Sequence, residues 1–61
     1  MTNQEKVQEQ VYRLEKSHTT EKAASMLWKA MTRAIGQYHK QSQRSDEILF
    51  GLVLKELEGI A

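Results

Sequence analysis

Sixty-one residues allow one domain, and a compact fold of this size hides only roughly 60% of the surface its unfolded chain exposes, so its core needs a supplement. The chain has no cysteine, which excludes disulfides and thiolate metal sites in that role and leaves oligomerisation. Nine Lys and Arg against eight Asp and Glu give a net charge of +1, too small by itself to point to nucleic acid.

The opening residues MTNQEKVQEQVYRLEK are polar, and the longest apolar run, Ile48 to Leu54, is far shorter than the ~20 residues of a bilayer span. With cysteine absent as well, the expectation is a soluble cytoplasmic protein without membrane contact. The chain has no proline and only three glycines, and it is rich in Gln, Glu, Lys, Ala and Leu, residues that lose little on entering a helix. The predicted fold is all-α: a small three-helix domain with helices over about 2–17, 20–40 and 46–58, assembled as a helical-bundle homodimer.

The first helix begins at Thr2, where Thr2 and Glu5 have the spacing of a capping box. Val7, Val11 and Leu14, continued by His18, mark a narrow apolar stripe, and Tyr12 lies off it. The segment SHTTE ends this helix because Ser and Thr hydroxyls favour caps over helix interiors, and Glu21 then sits in the first turn of the second helix. There Ala23, Ala24, Leu27, Ala30, Met31, Ala34, Ile35 and Tyr38 form a broad apolar face with Trp28 at its edge. That breadth predicts the second helix as the central one.

The polar connector QSQRS leads to Ser45, a capping residue followed by two carboxylates, Asp46 and Glu47, at the positive end of the next helix dipole. Gly59 is the expected stop. Within this third helix Ile48, Leu49, Phe50, Leu52, Val53, Leu54, Leu57 and Ile60 spread over an arc of roughly 240° at ~100° per residue, interrupted by Glu56. A surface helix needs only somewhat over ~100°. The excess predicts self-association through Leu49, Phe50, Val53, Leu54 and Leu57, with Trp28 at the rim; the competing arrangement is a monomer whose third helix is central, with Trp28 folded over it.

Chemistry-bearing motifs are scarce. His39 has neither the His-x-x-x-His nor the Glu-x-x-His spacing that places two metal ligands on one helix face, and Glu15 with His18 has the latter only as a single pair with no second ligand pair in the chain. There is no glycine-rich phosphate loop and no nucleophile turn around a serine. Glu5, Glu9, Glu15, Glu56 and Glu58 read as a solvated face and as partners of helix ends. No catalytic residue, metal, cofactor or small-molecule substrate is expected.

Charge is polarised along the chain instead. Residues 17–44 carry five basic and one acidic side chain, whereas residues 45–61 carry one basic and four acidic. Lys22, Lys29, Arg33, Lys40 and Arg44 recur at spacings of seven, four, seven and four, which on a continuous helix confines them to an arc of about 60° along a ridge about 33 Å long. Such a ridge suits an acidic protein surface, or a phosphate backbone bound without reading sequence; it also suits a plain solvated face. Gly36 and Gly51 lie inside predicted helices, where each costs about 1 kcal/mol relative to Ala. The functional expectation is a non-enzymatic interaction or regulatory protein that self-associates and binds another macromolecule, a protein in preference to nucleic acid. The alternative is a backbone-led DNA- or RNA-binding regulator that uses those five cations.

Overall fold

A computed structural model describes residues 2–60, apart from the Ile60 side chain. The place of Ile60 on the apolar arc therefore lies outside the described residues. The chain forms three helices, α1 (Asn3–Ser17), α2 (Thr20–Tyr38) and α3 (Asp46–Ile60), with no strand among the described residues.

Each helix starts where its sequence provides an oxygen for the first unpaired N–H groups. Thr2 and Glu5 make the reciprocal capping box: the Thr2 hydroxyl accepts from the Glu5 N–H and the Glu5 carboxylate accepts from the Thr2 N–H, both at 3.3 Å. Thr19 caps α2 by accepting from the Lys22 N–H at 3.2 Å. Ser45 caps α3, its hydroxyl accepting from Ile48 N–H at 3.3 Å and its carbonyl from Leu49 N–H at 3.1 Å.

The helix ends depart from expectation in two places. α2 stops at Tyr38, and the chain leaves it through tightened turns in which Lys40 N–H donates to Gln37 and Gln41 N–H to Tyr38. Lys40 and Arg44 are therefore outside the helix. α3 runs through Gly59 to Ile60, and no glycine takes a positive φ, so Gly59 does not act as the left-handed cap its position suggested.

The central helix is α3. It packs along both α1 and α2, which touch each other only sparsely, so the second helix is a flank and not the middle of the fold. The broad apolar arc of α3 is the cause: it has neighbours on two sides, and no large apolar side chain described on it is exposed. Val53 and Leu57 form its innermost edge, with 4% and 0% of their surface accessible, in one cluster with Val7 and Leu14 of α1 and Ala23, Ala30 and Ala34 of α2. Val11, Met26, Leu27, Phe50, Leu52 and Leu54 close around it. Burying one large side chain of this kind is worth about 1.5–3 kcal/mol, which explains why the apolar tail segment serves the domain's own core first. His18 does not continue the α1 stripe; it is exposed at the end of that helix, its N–H donating to the Leu14 carbonyl at 3.0 Å.

Candidate interaction surfaces on α2

The predicted self-association residues of α3 are not a free surface. Val53 and Leu57 are buried within the single chain, and Leu49, Phe50 and Leu54 are half-buried, the last two against the core. Of the six predicted residues only Trp28 stands clear, 72% exposed and not folded over α3. Two more large apolar side chains accompany it on α2, Met31 at 41% and Ile35 at 45%.

The wide apolar face read from the α2 sequence is thus split. Ala23, Ala30 and Ala34 point into the core, whereas Ala24, Trp28, Met31 and Ile35, at spacings of four, three and four, form a separate exposed ridge about 110° around the helix. One helix neighbour can meet only part of so wide a face. The alanine edge lets α2 approach α3 closely, which fills the space with the branched side chains of α3 and leaves the bulkier edge of α2 outside. Sequence reasoning placed Met31 and Ile35 in the core. The available signal was the segregation of small residues to one side of the arc and large ones, beside Trp28, to the other.

The basic ridge is shorter than expected. Only Lys22, Lys29 and Arg33 lie on α2, within an arc of about 40° that points about 150° away from the apolar ridge. Glu56 of α3 comes to the edge of the basic ridge, reaching the Arg33 guanidinium at 4.0 Å while accepting from Gln37 Nε2 at 2.7 Å. Lys40 follows in the turn after α2, and the Arg44 guanidinium lies 5.8 Å from the centre of the Tyr38 ring. Lys22, Lys29, Arg33, Lys40 and Arg44 are all exposed, but they do not form one 33 Å ridge.

One open depression is lined by Gln10, Arg13, Leu14, Ser17 and His18, but Arg13 is engaged by Glu9 at 2.7 Å and Ser17 donates back to the Arg13 carbonyl. Among the described residues no group of three or more His, Asp and Glu is placed to hold a metal ion, and no helix is long and apolar enough to cross a membrane. Comparison of the chain with protein-family models, with curated proteins and with solved structures finds no match.

Proposed function

We propose that the protein is a small non-enzymatic interaction protein that self-associates and binds another macromolecule through the exposed faces of α2. The carrying observation is that, among the described residues, three of the four exposed large apolar side chains, Trp28, Met31 and Ile35, lie on one ridge of a single helix. Clustering of this kind on a charged surface marks a contact region more than scattered apolar residues do. The ridge takes over the associating role expected of α3. The cationic face, with Lys22 and Lys29 at its centre, is left for the second partner, an acidic protein surface. A cytoplasmic setting belongs to the same reading and agrees with the absence of cysteine.

Binding of nucleic acid is the second reading. It loses ground because Lys40 and Arg44 leave the helical ridge, which reduces the phosphates one helix face can neutralise. The test compares wild-type protein with Lys22→Glu/Lys29→Glu on immobilised poly-L-glutamate and on a short duplex DNA at low salt. Retention on poly-L-glutamate, lost in the double variant with melting unchanged, supports an acidic protein partner. Retention on DNA alone turns the assignment to nucleic acid, and retention on neither removes the cationic face from function.

A further inference from the structure

The two ends of the apolar ridge of α2 differ in charge. Ala24, Trp28, Met31 and Ile35 are distributed symmetrically about the midpoint between Trp28 and Met31. Along one border of the ridge run Glu21 at one end and His39 at the other, eighteen residues or about five helical turns apart and hence on the same side of the helix. His39 keeps helical backbone angles at the C-cap, so this alignment holds beyond Tyr38. Glu21 is the one acidic residue in 17–44, whereas the other end gathers Lys40 and Arg44 beside His39 and Tyr38.

We infer that the ridge is covered by the same ridge of a second copy, the two α2 helices running antiparallel about a two-fold axis at the level of the Trp28–Met31 midpoint. This rests on the self-association part of the proposed function and adds its geometry and orientation. An antiparallel two-fold brings each border against the same border of the partner with its ends exchanged, so Glu21 of each copy comes to the His39 end of the other. It also opposes the helix dipoles. A parallel pair instead sets the two cationic ends side by side and both Glu21 carboxylates at the other end, a like-charge arrangement on both counts.

The steric pattern points the same way. In the antiparallel register the small Ala24 lies opposite Ile35, and Trp28 opposite Met31, a thioether against an aromatic ring. The cations Lys22 and Lys29 face outward on the far side of each helix, free for another partner. α2 is about 28 Å long, and one of its faces offers less than the ~800 Å² per partner of a standard interface. The dimer is accordingly weak and dependent on concentration.

The test uses the full chain, which has a single tryptophan and no native thiol. Sedimentation equilibrium is run alongside Trp28 fluorescence over a wide concentration range. Ala24→Cys and Ile35→Cys variants are then treated with a short bismaleimide, alone and as an equimolar mixture. The expected result is a monomer–dimer equilibrium with a blue shift of Trp28 emission on association, and a cross-linked dimer several-fold more abundant in the mixture than with either variant alone. Glu21→Lys should weaken the dimer several-fold, and Trp28→Glu should give a monomer with unchanged helicity and melting in dilute solution.

Dimers whose single-cysteine variants cross-link with themselves as well as the mixture does overturn the antiparallel arrangement and leave self-association standing. A dimer that persists in Trp28→Glu overturns the ridge as the contact. A single-copy mass throughout overturns the inference together with the self-association half of the proposed function, while retention on poly-L-glutamate would still uphold the other half.

Discussion

Asn3 and Glu47, far apart in sequence, are joined by two hydrogen bonds: the Asn3 N–H donates to Glu47 Oε1 at 3.0 Å and Asn3 Nδ2 donates to the Glu47 carbonyl at 3.1 Å. Asn3 opens α1 and Glu47 lies in the first turn of α3, so two helices begin side by side, each with unpaired N–H groups at its positive end. The Glu47 carboxylate thus serves as a cap lent by one helix to the other. Asn3→Ala removes the amide bond at an exposed site and is expected to cost about 0.5–1.5 kcal/mol in urea unfolding. Glu47→Gln keeps an acceptor for the Asn3 N–H and should cost less than Glu47→Ala.

Gly51 is coupled to that same amide. A Cβ built there meets Asn3 Nδ2 at 3.0 Å, so the glycine makes room for the side chain that ties α1 to α3. Helix propensity favours Ala over Gly by about 1 kcal/mol, an advantage that displacement of Asn3 opposes. Gly51→Ala should therefore be close to neutral in the wild-type background and clearly stabilising in Asn3→Ala. Equal effects in both backgrounds would show that the two positions act independently.

Gly36 is the contrasting case. Nothing lies within 4 Å of a Cβ placed on it, and it sits inside α2 without a positive φ. Gly36→Ala is expected to raise stability by about 1 kcal/mol and the melting temperature by about 4–8 °C. An unchanged or lowered melting temperature would point to a contact at this position outside the single chain.

Leu57 and Trp28, both expected from sequence at a self-association surface, occupy opposite environments in the fold. Leu57 is fully buried, and Leu57→Ala should cost about 2–5 kcal/mol, enough to unfold much of a domain this small. Trp28→Ala should change dilute-solution stability by less than about 0.5 kcal/mol, because the indole is mostly in water. Thermal melts of the two variants at low concentration distinguish a core position from an external contact.

What the sequence made legible was local. The starts at Thr2, Thr19 and Ser45 follow from side-chain oxygens within three residues of the N–H groups they satisfy, and those rules need no tertiary information. The order of packing was not local. An apolar arc of roughly 240° on α3 is compatible with a central helix or with an interface, and only the positions of α1 and α2 decide between them. The α2 face likewise showed an apolar arc without showing that Ala23, Ala30 and Ala34 would be chosen over Met31 and Ile35. The basic ridge failed for a related reason: it assumed that α2 continues past Tyr38, where no proline or glycine announces the end.

Glu56, which interrupts the apolar arc of α3, gives the last prediction. It is mostly buried between helices and has two candidate partners on α2, Gln37 at 2.7 Å and Arg33 at 4.0 Å. Formal charge favours Arg33, but that side chain is 66% exposed and its distance lies at the limit of an ion pair, where solvent-screened contacts contribute little. The short bond from a neutral amide to a carboxylate is the stronger restraint. Double-mutant cycles should give a coupling of about 1 kcal/mol for Gln37→Ala with Glu56→Ala, and close to zero for Arg33→Ala with Glu56→Ala. Raising the salt concentration should leave the first coupling nearly unchanged. A larger, salt-sensitive coupling to Arg33 would instead make the cationic face of α2 part of the packing between α2 and α3, and so less available to an acidic partner.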